Sequence, residues 1–341
     1  MINESNLQVR VRRIPDGIPK VDDLEIVEGD VARPGPGELL AKTIYLVVDP
    51  YVRSRLSGRH FDRQPQPGDL MLGRTVSQVI ESRIDGVAAG DIVCIESGMQ
   101  QYAVVDGTDV IPIDPTVAPL STALGILGMP GLTAWSGLCV LDPIQPGETL
   151  LVTAASGAVG SMAGQIAKLK GARAIGLAGS DEKCAWARDV AGFDACLNYK
   201  TSDWSAELAR LCPDGVDVYF DNAGGDILNT VVKHHLAMYG RVLICGLIAQ
   251  YNLKDAPPGP NLGPVVSRRA QIKGLVVYDF EDRRADFLRE AIPWFQAGKL
   301  HYKEELHDGI ETAPAVFSRL MSGQNFGKTI IRVADDPAMK G

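Results

Sequence analysis

The run Leu150-Leu151-Val152-Thr153-Ala154-Ala155-Ser156-Gly157-Ala158-Val159-Gly160 constrains this chain more than any other stretch. A buried-strand pattern leads into a tight turn of small residues and then into the start of a helix. Such a turn lets backbone N–H groups approach a pyrophosphate, and the helix N-terminus adds partial positive charge. The fingerprint is Ala155-x-Gly157-x-x-Gly160, with Ala in the first glycine slot. Small-residue turns between strand and helix also arise for packing alone, so the residues that follow carry the decision.

From about residue 149 the chain alternates strand with helix. Strands are expected at Leu150–Thr153, Ala174–Ala178, Ala195–Tyr199, Asp217–Asp221, Arg241–Gly246 and Gln271–Val277. Helices are expected at Ala158–Lys170, Asp181–Val190, Asp203–Leu211 and Asp226–His235. Four β-then-α units imply a doubly wound parallel sheet, because parallel strands need crossover helices. The first 120 residues differ. They are rich in Val, Ile, Gly and Pro, with turn signals at Arg33–Gly37, Gln66–Asp69 and Asp85-Gly86, which predicts a compact domain of short strands. A further helical stretch covers Glu281–Ala297. The tail from Tyr302 to Val333 reads as strand, helix and strand, and is expected to return to the first domain.

At 341 residues two domains are the natural expectation: residues 1–125 completed by 301–341, and residues 126–300. A net charge of −8 with no Lys/Arg block argues against a nucleic-acid surface. The opening MINESNLQVRVRRIPDG has no apolar core of a secretory signal. No run approaches the roughly 18 apolar residues of a membrane helix. The expected location is therefore the cytoplasm. Cys94, Cys139, Cys184, Cys196, Cys212 and Cys245 are scattered without metal-ligand spacing and read as reduced packing residues. His234-His235 falls near a helix end, where positive charge suits the dipole.

The next strand end decides which dinucleotide is accommodated. A site for a free ribose 2′-hydroxyl wants a carboxylate there, but the chain reads Ala178-Gly179-Ser180-Asp181-Glu182-Lys183. Room at Gly179, the Ser180 hydroxyl and the Lys183 ammonium suit a 2′-phosphate, so NADPH is expected over NADH. Asp181 sits where it could cap the helix; Lys183 as a merely solvated residue is the plainer alternative. No metal site is expected: Cys94 stands alone in the first domain, and His60 has no cysteine nearby. Without a Lewis acid, hydride transfer wants an acceptor already polarised, such as a conjugated enone. The enolate then needs a hydrogen-bond donor at oxygen, a contact typically worth about 3–4 kcal/mol, and a proton at the α-carbon. Tyr51 and Tyr278 are the candidate phenols, with the buried aromatic of a rigid Asp49-Pro50-Tyr51 turn as the structural alternative.

Several motifs recur together in one order: Tyr45–Arg53 (YLVVDPYVR), Leu127–Ala134 (LGMPGLTA), Ala154–Gly171 (AASGAVGSMAGQIAKLKG), Ala178–Lys183, Asn198-Tyr199-Lys200, Asp221–Gly225 (DNAGG) and Asn325–Lys328 (NFGK). Through them the chain, from Val31 to Val333, resembles the zinc-independent medium-chain dehydrogenase/reductases. Within these it is similar to the leukotriene B4 12-hydroxydehydrogenase/prostaglandin reductase branch, which includes bacterial NADPH-dependent curcumin reductases. The resemblance implies a Rossmann doubly wound sheet plus a β-rich GroES-like domain, a homodimer, and NADPH-dependent reduction of the C=C bond of α,β-unsaturated ketones or aldehydes. It maps the phosphate turn to Ser156, Gly157, Ala158, Val159 and Gly160, and the 2′-phosphate contacts to Ser180, Lys183 and Tyr199. Asn222, Cys245, Gly246, Leu247, Ile248, Val277 and Asn325 match positions lining the cofactor, and Tyr51 matches one beside nicotinamide and substrate. Ser267 stands where mammalian members carry a tyrosine considered a substrate-site residue, so that role does not transfer. The proton donor stays open between Tyr278, placed on the last Rossmann strand, a cofactor ribose hydroxyl and water.

Two other readings remain at this stage: a quinone oxidoreductase of the same superfamily, and a non-catalytic NADPH-binding sensor. The substrate pocket is expected from loops near residues 51–72, 249–266 and 278–283. The Pro-rich stretch at residues 255–260 is expected to cover the site or make a dimer contact.

Overall fold

The computed structural model describes residues 5–60, 63–201, 203–255 and 257–340. The expectations placed on residues 61, 62 and 256, in the pocket loop and the Pro-rich stretch, lie outside the described residues. The chain divides into two compact units. Met1–Leu124 with Glu304–Gly341 form one, and Gly125–Lys303 the other.

The first unit opens with β1 (Ser5–Val11) and β2 (Leu24–Asp30), an antiparallel pair. Its main sheet is built on β3 (Glu38–Val47), the longest strand, which pairs along one side with β4 (Thr75–Ser82). Beyond β4 lie β5 (Ile92–Ile95) and, past β6 (Tyr102–Asp106) in the chain, β7 (Ile111–Ile113). Side chains alternate across these strands. Leu39, Ala41, Val79, Val93 and Ile95 form one apolar cluster, while Ile44, Val47, Val76, Ile92 and Cys94 belong to another. A sheet buried on both faces tolerates few polar residues in its centre, and β3 has none that is exposed.

The second unit is one six-stranded sheet with the order β10-β9-β8-β11-β12-β13, parallel throughout. Its members are β8 (Thr149–Thr153), β9 (Arg173–Ala178), β10 (Ala195–Asn198), β11 (Val216–Asp221), β12 (Leu236–Ile244) and β13 (Gln271–Gly274). The helices Ala158–Leu169, Asp181–Asp189, Trp204–Leu211 and Gly225–His234 make the crossovers. Leu150, Leu151 and Val152 of β8, and Val218, Tyr219 and Phe220 of β11, are fully enclosed. The two halves of the sheet diverge between β8 and β11. In open α/β sheets a ligand binds at this switch point, beyond the strands' carboxyl ends. The fold is thus the expected α/β combination of a doubly wound sheet and a mostly antiparallel second domain.

Two strands differ from expectation. Pairing along β12 starts at Leu236 rather than Arg241, then breaks where Tyr239 adopts φ +63° and resumes at Arg241. β13 ends at Gly274: Leu275 still donates to the Ile244 carbonyl at 2.9 Å, but its side chain sinks into the core and Val277–Arg283 winds into a 3-10 helix. Tyr278 and Val277 therefore lie on that helical turn, and the placement of Tyr278 on the strand is corrected.

After the second unit the chain adds β14 (Glu304–Asp308), the helix Ala313–Met321 and β15 (Lys328–Arg332) to the first. β14 and β15 pair in parallel, and β15 pairs antiparallel with β3. The second side of β3 is thus shared: Glu38–Lys42 take β6, and Tyr45–Val47 take β15. No helix among the described residues is long and apolar enough to cross a membrane.

Candidate active site

The chain leaves β8 through Ala154, whose φ of +54° turns it sharply, and the Gly157 N–H closes the turn on the Ala154 carbonyl at 2.8 Å. The helix Ala158–Leu169 starts from an extended Gly157 with no side-chain cap. Its first N–H groups are the donors an anion would take. A Cβ on Gly160 would fall 2.2 Å from the Ala154 carbonyl oxygen, so the helix can start this close to the turn only with glycine there. The alanine in the first slot also has its reason. Ala155 is fully buried, and a Cβ on Gly176 of β9 would lie 2.6 Å from its methyl. The space that a glycine at 155 would leave is supplied by the glycine at 176.

The Asp221–Gly225 motif is organised by one buried carboxylate. Asp221 is fully enclosed and accepts hydrogen bonds from Thr153 Oγ1 at 3.0 Å, Tyr219 Oη at 2.8 Å, the Ala223 N–H at 3.0 Å and the Gly224 N–H at 3.0 Å. Burial holds this carboxyl above the usual range, against the pull of those bonds. Thr153 Oγ1 in turn accepts from the Asn222 N–H at 2.7 Å, and the Asn222 amide donates to the Thr153 carbonyl at 2.9 Å. The Asp221 carbonyl takes the N–H groups of Cys245 at 2.8 Å and Gly246 at 3.1 Å. Asn222 and the Cys245–Ile248 segment are thereby held at the ends of β8, β11 and β12.

Next to that segment stands a phenol that sequence reasoning missed. Tyr251 closes the short helix Ile248–Tyr251, and its hydroxyl accepts from the Leu247 N–H at 3.3 Å. Burial raises its pKa, so it is protonated at neutral pH. Its position three residues beyond Ile248 was the available signal. Tyr278, on its helical turn, is 38% exposed. Ser267, by contrast, turns its hydroxyl back onto the Pro264 carbonyl.

At the outer end of the sheet, β9 ends in Ala178 and is followed by Gly179. Ser180 caps the next helix by accepting from the Lys183 N–H at 3.3 Å. Asp181 does not cap; its Oδ1 accepts from the Asn198 amide at 2.9 Å. A Cβ on Gly179 would sit 3.0 Å from the Tyr199 hydroxyl and 3.5 Å from Lys200 Cε. Ser180, Tyr199 and Lys200 are thus gathered about Gly179, with Lys183 on the first helical turn. Lys200 is a second cation that the sequence reading did not single out, although it ends the Asn198-Tyr199-Lys200 motif.

In the first unit, Tyr51 opens the helix Tyr51–Leu56, its ring 5.9 Å from that of His60. Asp49, just before it, is ion-paired with Lys328. Arg74 and Glu96 form a second half-buried pair at 3.4 Å. The Asn325 amide donates to the Gly327 carbonyl at 3.1 Å, and the Phe326 N–H to Glu305 at 2.7 Å. The six cysteines are free thiols; burial pushes Cys139 and Cys245 up to about 12. His235 takes a 2.7 Å bond with the Ser205 hydroxyl, and burial lowers its pKa. Among the described residues no three or more His, Cys, Asp or Glu side chains are grouped to hold a metal ion.

Both units match known sequence families. Residues 7–113 fit the N-terminal domain of oxidoreductase, and residues 158–297 fit the zinc-binding dehydrogenase model. The NADPH-dependent curcumin reductase of Escherichia coli (strain K12) is 42% identical over 329 residues, covering 94% of this chain and 95% of that protein. Prostaglandin reductase 1 of Bos taurus is 40% identical over 323 residues, 93% of this chain and 95% of that one. The crystal structure of CurA in complex with NADPH from Vibrio vulnificus superposes with a TM-score of 0.90 at 36% identity, covering 97% of this chain and all of that one. The chain belongs to the medium-chain dehydrogenase/reductases, in the branch of the prostaglandin and curcumin reductases.

The turn after β8 supplies its own test. Gly160→Ala must displace backbone rather than a flexible side chain, and is expected to cost about 1–3 kcal/mol, measured as a lower urea unfolding midpoint. An unchanged midpoint would show that the turn relaxes freely.

Proposed function

We propose that this chain reduces the carbon–carbon double bond of α,β-unsaturated ketones and aldehydes with NADPH. The observation that carries the cofactor assignment is the gathering of Ser180, Tyr199 and Lys200 about Gly179 at the end of β9, with Lys183 on the next helical turn and Asp181 occupied by Asn198. The uncapped helix start, which Gly160 lets begin directly against the Ala154 turn, fits a pyrophosphate. The substrate class is supported by the relatives named above.

When bound, NADPH supplies the hydride, and the substrate's β-carbon receives it. Ser156, Gly157, Ala158, Val159 and Gly160 hold the pyrophosphate through backbone N–H groups. Ser180, Lys183 and Tyr199, joined by Lys200, hold the 2′-phosphate by charge-assisted hydrogen bonds. Asn222, Cys245, Gly246, Leu247, Ile248, Val277 and Asn325 line the cofactor. Tyr51 donates a hydrogen bond to the carbonyl oxygen as enolate charge develops, and Tyr278 is assigned the proton for the α-carbon. Tyr251, protonated beside the Cys245–Ile248 segment, is the third phenol to be tested in that role.

In the same reading the first unit is the GroES-like domain and the second the Rossmann domain. The protein acts as a homodimer in the cytoplasm. A dimer is supported by the open edge of β13, where Ile272 is exposed, and by the 67% exposed Tyr239 of β12 and the 78% exposed Val266 of the helix Gly263–Arg268. The free thiols suit a reducing compartment. Sedimentation equilibrium is expected to give twice the 36.6 kDa chain mass; a single chain mass at micromolar concentration contradicts the dimer.

The activity is tested by following NADPH oxidation with an aliphatic enone, a cinnamyl enone and a quinone. Turnover is expected with the enones. Turnover with the quinone alone contradicts the substrate class, and NADPH binding without any turnover identifies a sensor. Lys183→Ala is expected to weaken NADPH about tenfold or more, corresponding to roughly 1.4 kcal/mol, with little change for NADH. Equal losses for both cofactors would sink the 2′-phosphate assignment. For Tyr51→Phe, kcat is expected to fall about a hundredfold at near-constant NADPH affinity; undiminished turnover removes Tyr51 from the chemistry.

A further inference from the structure

We propose that the Asp49–Lys328 ion pair is a positioning device for the reaction, locking the turn that presents Tyr51 to the loop that presents Asn325. The inference rests on the roles given to those two residues above. Both charged groups are sheltered, with Lys328 at 6% and Asp49 at 13% side-chain exposure, and they are 279 residues apart in the chain.

Their place in the sheet explains what they hold. The β3–β15 ladder pairs Leu46 with Ile331 and Val47 with Ile330, and the Val48 N–H still reaches the Thr329 carbonyl at 3.3 Å. At the next step the two backbones diverge. One enters Pro50 and the helix Tyr51–Leu56, and the other comes from the loop Asn325-Phe326-Gly327. Asp49 and Lys328 occupy that step. A side-chain ion pair therefore replaces the backbone bonds where the ladder can no longer run.

Neighbouring groups make the arrangement directional. Glu304 of β14 is the ladder partner of Lys328, so the lysine has one carboxylate on the neighbouring strand and the other on the turn after β3. Burial raises the pKa of Glu304, prevailing over a hydrogen bond with Ser121 and the Lys328 charge, which both lower it. Asp49 is the carboxylate that the Lys328 ammonium meets directly, through Oδ1. One turn on, Arg53 is buried and donates to the carbonyls of Pro15 at 3.1 Å and Gly17 at 3.0 Å. Tyr51 thus lies between two anchored points, with the Ser54 hydroxyl bonded to its carbonyl at 2.7 Å. A sheltered charge is costly unless paired, so loss of either partner releases the turn. Small displacements of a reacting group can cost up to about a hundredfold in rate.

The test is a kinetic cycle on the intact enzyme with NADPH and an enone, comparing Lys328→Met, Tyr51→Phe and the double variant. Lys328→Met is expected to lower kcat about tenfold or more, and to cost almost nothing further once Tyr51 is Phe. Asp49→Asn/Lys328→Met, which leaves no unpaired charge, is expected to fold with a melting temperature near that of the parent and to show the same kcat loss. Lys328→Arg is expected to recover part of it. A Lys328→Met loss that adds in full to that of Tyr51→Phe overturns the positioning role while the Tyr51 assignment stands. A double-neutral enzyme with full kcat also overturns it. Undiminished turnover in Tyr51→Phe overturns both readings.

Discussion

The buried carboxylate of Asp221 is the point on which the second unit's site depends. Four donors from β8, β11 and the following loop converge on it, and those of Thr153, Tyr219 and Gly224 would otherwise be buried polar groups without a partner. Thr153 passes the constraint on to Asn222, and the Asp221 carbonyl passes it to Cys245 and Gly246. Three strand ends at the switch point of the sheet are therefore tied to one residue. A site built on such a knot is rigid before any ligand arrives, which lowers the ordering cost of binding.

The first unit solves a comparable problem with its longest strand. β3 cannot offer one partner along its whole second side, so β6 and β15 share it. That division brings a segment from the end of the chain beside Val47 and Val48, and with it the Asn325–Lys328 motif beside the Asp49-Pro50-Tyr51 turn. Where the ladder stops, the Asp49–Lys328 pair takes over. Two motifs far apart in sequence thus become neighbours through sheet topology.

Local patterns were legible because local physics produces them. The β8 turn is a run of small residues because its backbone must come within reach of Ala154, and the helix after it needs Gly160. The strand, helix and strand of the tail could be read from their own local pattern. Features that depend on distant partners were not legible. Nothing near Ala155 says that Gly176 makes room for it, and nothing near Asp221 says that Thr153 will bond it. The end of β13 was misplaced because Leu275, Val276 and Val277 are apolar enough to continue a strand. Leu275 is instead drawn into the core, and Tyr278 leaves the sheet on a helical turn. The part of Lys200 was not legible in its motif, because its approach to Gly179 is made by folding and not by sequence spacing.

The proposed reaction delivers hydride from NADPH to the β-carbon of a conjugated carbonyl compound. The most direct measurement is NMR of the product formed from an enone and NADPH carrying deuterium at its transferable position, in ordinary water. The expected product is a saturated ketone with deuterium on the β-carbon and a solvent-derived hydrogen on the α-carbon. Deuterium on the carbinol carbon of an allylic alcohol would contradict it.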